Sequence, residues 1–284
     1  MKNPLISVII PTHNAGATIG VAIRSIIEQT YQNLEIIVVD DNSTDATYDA
    51  VTRFTDVHPN IAYYRLPYQD PHRFNKRGRN INAGYSARNF GFEKVHGQWI
   101  TFQDADDASL RNRIEVQYAL ACQYDMWHVC VDWQQFDETM LGKMLDTEAI
   151  FHDYKDTTVS SKEITALAAQ TKGLLPRMGS VHRFIPFSIK TMRVANKLFF
   201  SSLESYPGTG NSPLFRKEVI EKVRFRALPE RVWPSFTGRG ADRDFNFAVA
   251  EAFGRSMVCK LPLYLWRVNR QNPPYADYGR YLHS

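Results

Sequence analysis

Three short, uninterrupted apolar runs in the first part of the chain constrain its fold more than any other feature. Leu5 to Ile10 reads LISVII, Leu34 to Val39 reads LEIIVV, and Trp99 to Gln103 reads WITFQ. Runs this short, rich in β-branched residues and bounded by turn residues, read as strands buried on both faces. After the first run, Ile19, Ala22, Ile23, Ile26 and Ile27 recur at helical spacing; after the second, Tyr48, Val51 and Phe54 do the same. Ile61 to Leu66 supplies a further strand. A βαβαβ beginning of this kind predicts an α/β fold with parallel strands and crossover helices.

Each run stops abruptly at a polar turn: Pro11-Thr12-His13-Asn14, Asp40-Asp41-Asn42-Ser43, and Asp104-Ala105-Asp106-Asp107. In one parallel sheet these turns converge on the edge where α/β sheets bind ligands. Three carboxylates within four residues repel one another unless a cation or hydrogen-bond donors offset them. The third turn therefore reads in two ways. It is a site for a divalent metal carrying a diphosphate, or an acidic turn in which Asp106 or Asp107 caps the next helix. By itself the turn favours neither.

A chain of 284 residues suffices for one large α/β domain, or one carrying a sizeable insertion. Aromatic residues at 13% suit a groove that stacks ring-shaped ligands. The net charge of +4 falls short of a nucleic-acid-binding signature and suits phosphorylated ligands or an anionic membrane surface. Cys122, Cys130 and Cys259 have neither zinc-like spacing nor an even count, which favours a reducing compartment. With no signal-peptide pattern and no membrane-length apolar run, the expectation is a cytoplasmic protein whose membrane contact, if any, is peripheral. A G-x-G-x-x-G after the first strand and a Walker A motif are both missing, which disfavours dinucleotide dehydrogenases and P-loop enzymes.

Further along, helices are expected over 83–96, 110–123, 161–171, 189–203, 216–223 and 242–253, and strands over 126–133, 211–215 and 257–268, the last broken at Pro262. Residues 1–133 read as one half of a single domain. Residues 134–284 read as the other half, building the far side of the cleft, with a helical insertion at 134–207 and a C-terminal tail. Single residues carry two readings each. Asp41 accepts from a nucleobase N–H, or caps the helix start after Ser43. Arg88 meets a phosphate, or makes an ordinary surface ion pair. Asp242, between glycines and a helix, is a capping anion or a general base held in a water-poor cleft. Arg177, His182, Arg183, Lys190, Arg193 and Lys197 interleave with aromatic and aliphatic residues. That stretch suits an anionic polysaccharide or lipid headgroups, although a cleft-covering helix with a solvated face is the favoured reading.

The motifs in combination resemble the family-2 inverting glycosyltransferases of GT-A fold. The resemblance rests on SVIIPTHN (7–14), IIEQTY (26–31), EIIVVDDNSTD (35–45), ARN (87–89), GQWI (97–100) and DADD (104–107). It is looser after residue 133, through GNSPLFRK (210–217) and Ala241-Asp242. It implies a Rossmann-like, mostly parallel open sheet flanked by helices, with a largely helical insertion on the acceptor side. Pro11, Thr12 and Asn14 would line a nucleoside pocket with Asp41 on the base, as in members using UDP-sugars, and Arg88 would join this donor set. Asp104 and Asp106 would form the D-x-D pair, contacting ribose and a Mn²⁺ or Mg²⁺ that bridges the diphosphate. Asp242 would be the catalytic base, and the acceptor a hydroxyl of a saccharide or glycolipid in polysaccharide or glycoconjugate synthesis. Two departures stand out. Ala241 precedes Asp242 where many members have Glu, and Asn269 stands where many have a histidine that follows the arginine of the closing strand. Two rival classes remain. A metal-dependent nucleotidyl or phosphoryl transferase needs a cationic loop for a triphosphate, and PTHNAGAT supplies no Lys or Arg. A catalytically silent sugar-nucleotide-binding module would have no use for Asp242.

Overall fold

The computed structural model describes residues 3–70, 73–74, 84–153, 157–170, 173–174, 185–186, 188–189, 192–199, 206–231, 240–267 and 279–284. The three apolar runs form β1 (Ile6–Thr12), β2 (Leu34–Asp40) and β4 (Trp99–Phe102), and β3 is Ile61–Arg65. These four strands are parallel in the order β3-β2-β1-β4. Helices α1 (Ile19–Ile27), α2 (Thr47–Thr55) and α3 (Tyr85–Gly91) lie in the connections. The winding reverses between β1 and β4, which makes the gap beyond their C-terminal ends a topological switch point.

All seven residues of β1 are buried, because both faces of the sheet are covered. Successive side chains alternate in direction along a strand. Ile6, Val8 and Ile10 therefore pack with Ile19, Ile23 and Ile26 on one face. Ile9 points the other way, into a cluster with Ile37, Val39, Ala87 and Phe102. That second cluster is strongly aromatic: Phe225 and Phe245 stack with ring centroids 4.3 Å apart, and Phe92 and Phe102 close around them. Gly91 must be small here, since a Cβ would lie 2.7 Å from Ile9 Cγ2.

Beyond β4 the sheet becomes mixed. It contains β5 (Ala108–Ser109), β6 (His128–Gln135), β8 (Thr158–Val159), β9 (Leu214–Arg216) and β10 (Ser256–Trp266). Strand β9 is antiparallel to both β4 and β6, β10 is parallel to β6, and β5 and β8 run antiparallel along β10. A small separate sheet pairs β7 (Met144–Leu145) with β11 (Leu282–His283). The remaining helices are α4 (Arg113–Gln123), α5 (Thr147–Asp153), α6 (Ser161–Ala169), α7 (Arg193–Phe199) and α8 (Ala241–Phe253).

Several elements differ from the sequence expectation for local reasons. The strand expected at 211–215 is Leu214–Arg216 and antiparallel, and the helix expected after it is a short 3₁₀ segment, Lys217–Glu221. Pro262 does not break β10. It shifts the register against β6 on both of its sides, as expected of a residue with no N–H to donate. The helix expected from Leu110 starts at Arg113 because β5 intervenes. Asn112 precedes it, so neither Asp106 nor Asp107 is its cap.

Asp107 instead fastens two strand ends together. Its buried carboxylate accepts from the Tyr264 hydroxyl at 2.8 Å and from the Arg267 backbone N–H at 2.8 Å. The Arg267 Nε donates to the Asp106 carbonyl at 2.9 Å. Under the same turn Arg113 is fully buried and donates to Thr101 Oγ1, Gln117 Oε1 and the Phe102 carbonyl. Burial pulls Arg113 down to about 10, still far above neutrality.

Burial, and then the neighbouring Asp104 and Asp106 charges, push the Asp107 carboxyl up to about 8. An unfolded aspartate ionises at about 4. Between those values the folded chain holds a proton that the unfolded chain has lost, so stability falls as pH rises. With divalent metal chelated, the melting temperature should decline from about pH 5 to about pH 9, most steeply below pH 8. Asp107→Asn keeps one acceptor oxygen and should flatten that decline in a thermal-melt series. An undiminished slope in the variant would assign the pH dependence to other groups.

Candidate active site

A cleft of about 700 Å³ lies at the switch point. Pro11, Thr12, Asn14, Asp41, Arg88, Asp104, Asp106 and Asp242 all line it, although they come from the ends of β1 and β2 and the turns after them, α3, the β4–β5 turn and α8. The chain thus brings these eight sequence-nominated residues to one cavity.

At one end the first two turns are knitted together. The Asp41 N–H donates to the Thr12 carbonyl at 2.8 Å, and the Asn14 N–H donates to Ser43 Oγ at 2.9 Å. Asn14 adopts a left-handed backbone with φ of 51°, which Asn tolerates better than most residues. The adjacent aspartates divide their work. Asp40 turns away from the cleft, accepting from the Ser43 N–H at 2.8 Å and from the Tyr63 hydroxyl. Asp41 turns into it, and caps no helix. Its carboxylate forms a buried ion pair with Arg73, whose guanidinium also donates to the Asp41 carbonyl at 2.9 Å. Burial raises the Asp41 carboxyl above its ordinary range, and Arg73 opposes that rise.

In the middle sit the acidic residues of the β4–β5 turn. Arg88 is buried, and its guanidinium lies 2.6 Å from Asp104 Oδ1 and 5.4 Å from the centres of the Phe102 and Phe225 rings. This is no surface pair. Asp104 Oδ2 accepts from Asn211 Nδ2 at 2.8 Å. Asn211 also donates to the Tyr264 hydroxyl at 3.1 Å, and that hydroxyl accepts from the Asp104 N–H at 3.3 Å. Burial pushes the Asp104 carboxyl up, with Arg88 pulling against it. Asp106 differs: it is exposed to the cleft, and among the described residues its carboxylate meets no donor.

These donors bear on whether a divalent cation fits. Among the described residues no three His, Cys, Asp or Glu side chains converge to hold a metal by themselves. A cation here would take Asp106 and complete its shell with oxygens from a bound ligand and water, the habit of Mg²⁺ in phosphate sites. The hard carboxylate oxygen of Asp106 suits Mg²⁺ or Mn²⁺. Asp104, with both oxygens engaged, serves better to fix the turn.

The far wall carries Asp242, the second residue of α8, after Gly240 with a left-handed φ of 98°. Gly210 lies against it, where a Cβ would stand 3.1 Å from Asp242 Oδ2. Trp133 and Trp266 complete this wall with rings edge-to-face, 4.6 Å between centroids. Sequence reasoning assigned no role to Arg73, Tyr264, Trp133 or Trp266. Tyr264 lies inside an apolar strand and gives no signal, whereas Asn211 was at least inside a family-like stretch. Asn269, Gly238, Arg239, Lys76, Arg77 and Arg79 lie outside the described residues, as do Arg177, His182, Arg183, Lys190 and the Arg193 side chain.

Comparison with known proteins agrees with this architecture. Over 118 residues the chain is 35% identical to an uncharacterized glycosyltransferase of Haemophilus influenzae, covering 41% of this chain and 42% of that protein. Over 154 residues it is 31% identical to the Escherichia coli UDP-Glc:alpha-D-GlcNAc-diphosphoundecaprenol beta-1,3-glucosyltransferase WfgD, covering 54% of this chain and 55% of that protein. The chain thus matches little more than half the length of these curated relatives, or less. Staphylococcus aureus TarS 1-349 in complex with UDP-GlcNAc superposes with a TM-score of 0.55 at 15% identity, over 94% of this chain and 59% of that one. The mannosyltransferase PcManGT of Pyrobaculum calidifontis, in complex with GDP-Man and Mn2+, gives 0.52 at 19% identity, over 96% and 59%. These likenesses establish the GT-A fold. The Glycosyl transferase family 2 profile matches residues 7–180, and the chain is a member of that family.

Proposed function

We propose that this chain transfers a sugar from a nucleoside-diphosphate donor, a UDP-sugar, to a hydroxyl of a saccharide or lipid-linked saccharide, inverting the anomeric carbon. One observation carries this reading: a polar end lined by Thr12, Asn14 and Asp41, an acidic turn, and Asp242 on the far wall succeed one another around a single cleft. Its volume of about 700 Å³ suits a nucleotide sugar. Uracil presents an N–H between two carbonyl oxygens, which an Asp41 acceptor beside an Arg73 donor complements. Residues 1–133 would bind the nucleotide, and residues 134–284 would bring the acceptor side and Asp242. The Trp133–Trp266 wall offers an apolar face of the sort that saccharide rings pack against.

Asp242 accepts the proton of the acceptor hydroxyl as that oxygen bonds the anomeric carbon and the bond to the diphosphate breaks. A Mn²⁺ or Mg²⁺ held by Asp106 and the diphosphate would supply positive charge to the departing group. Arg88 and Asn211 hold Asp104 rigid, so the turn keeps its shape while that charge develops. The relative WfgD is named for a diphosphoundecaprenol-linked acceptor, which supports work at a membrane face. No helix among the described residues is long and apolar enough to cross one. Residues 171–200 contain several Lys and Arg and no acidic residue, and Val194 and Leu198 of α7 are exposed. These features support peripheral contact with an anionic membrane surface through this stretch. Flotation with anionic vesicles tests it, and a protein left wholly in the bottom fraction removes it.

Incubation with a panel of nucleotide sugars and Mn²⁺, following release of free nucleotide, identifies the donor. Asp242→Asn should lower turnover by about 100-fold or more while UDP binding by calorimetry stays within about twofold. Near-normal turnover would remove Asp242 from the role. Asp106→Ala should abolish the Mn²⁺-dependent part of UDP binding, by about tenfold or more in Kd. Equal UDP affinity with and without Mn²⁺ in the unaltered protein would count against a metal at this turn.

A further inference from the structure

Below Asp242 lies a buried polar network that the reaction as described does not use. Asn246, one turn along α8, is fully buried. Its Nδ2 donates to the Asp242 carbonyl at 2.8 Å and to the Gly210 carbonyl at 2.7 Å. Both amide hydrogens are thereby committed to carbonyls, which fixes the amide orientation without ambiguity. Asn246 Oδ1 then faces His128 Nε2 at 2.7 Å, so that nitrogen must carry the proton. His128 Nδ1 is left as an acceptor, 3.1 Å from the Ser256 hydroxyl that donates to it. His128 is fully buried, and burial drives it down to about 4. The ring is neutral at working pH and has one tautomer.

This arrangement costs the helix something and returns geometry. An asparagine that bonds its own i−4 carbonyl competes with the helical backbone and is not favoured in a helix interior. The first turn of α8 has no side-chain cap of its own, since Gly240 precedes it. The amide is no substitute cap, because it donates to a carbonyl; it anchors the helix start instead. It ties the Asp242 backbone to Gly210, and Gly210 is followed by Asn211, which holds Asp104 Oδ2. Two carboxylates from distant parts of the chain are therefore held in one frame through a single buried amide.

We infer that Asn246, oriented by His128, is the positioning residue that sets Asp242 against the donor turn. The inference rests on the reading of Asp242 as the base. It acts through Asp242 and touches no substrate. A small misplacement of a catalytic group costs up to about 100-fold in rate. Loss of the amide should therefore lower the rate of the chemical step without lowering affinity for the nucleotide.

The test compares four variants by nucleotide release from a panel of UDP-sugars with Mn²⁺, expressed per UDP-binding site counted by calorimetry, together with thermal melts. Asn246→Leu removes both donors at similar volume. Gly210→Ala leaves the network's hydrogen-bonding groups in place but sets a methyl 3.1 Å from Asp242 Oδ2 and 3.2 Å from Asn246 Nδ2, so it displaces the base from the opposite side. Each should lower kcat by about 10- to 100-fold with Kd for UDP within about twofold. His128→Gln retains an N–H donor and should recover most of the rate that His128→Phe loses. If Asn246→Leu does not fold, Gly210→Ala and the His128 pair decide the matter. Variants that melt earlier yet keep full kcat per binding site would reduce the network to a structural role and overturn the inference. So would equal loss in His128→Gln and His128→Phe. An unaltered protein that consumes no UDP-sugar, or an Asp242→Asn protein that keeps its rate, would instead overturn the functional reading, and this inference with it.

Discussion

Repulsion among three carboxylates at the end of β4 is the constraint to which the rest of the molecule answers. The turn survives because each carboxylate is treated differently. Asp104 receives a buried guanidinium at 2.6 Å and an amide at 2.8 Å. Asp107 receives a phenol and a backbone N–H, and burial raises its affinity for a proton. Asp106 is left to the cleft. Beneath all three, the buried Arg113 is held by neutral acceptors and braces the turn. Of the three, Asp106 is the carboxylate left facing the cleft, which is why the proposed cation is assigned to it.

The compensation explains why the sheet changes character after β4. Asn211 and Tyr264 must reach Asp104 from the side away from β1. Strand β9, antiparallel between β4 and β6, delivers the segment containing Asn211, and β10 brings Tyr264 and then Arg267 to the same turn. A purely parallel continuation would have carried the ends of those connections elsewhere. The register shifts around Pro262 let β10 follow β6 and still deliver Tyr264 to the turn.

The parallel half of the sheet was legible in the sequence because its logic is local. Short, mostly apolar runs declare buried strands, and polar residues immediately after them must lie at the strand ends; the placement of Thr12, Asp41 and Asp106 at one edge needed nothing more, although their roles did. What was not legible depends on long-range pairing. Asp41 read as a free acceptor or a cap, and its partner is Arg73, thirty-two residues away. Arg88 read as a surface charge as readily as a ligand, because nothing local reveals that Phe102 and Phe225 enclose it. Asp107 read as a cap because β5, two residues long, is too short to leave a pattern. Asn246 and His128 look like ordinary polar residues within a helix and a strand, and only their convergence gives them meaning.

Similarity to known proteins divides along the same line. The family profile ends at residue 180, so it spans the nucleoside loops and the acidic turn but not Asp242, Asn246 or Trp266. The likeness to solved structures extends over nine-tenths of the chain at low identity. On the proposed reading, the two halves of the chain answer to separate physical demands. Every donor of this class presents the same diphosphate, and the side chains that meet it have little freedom. Acceptors differ in shape, and the wall that meets them can change as long as one carboxylate stays aimed at the anomeric carbon. With Asp242 as the proposed base, that aim depends on a helix start with no side-chain cap of its own and a glycine beside it. The positional accuracy must therefore come from deeper in the structure, and the buried amide of Asn246, bonded to the Asp242 and Gly210 carbonyls, is the group placed to supply it.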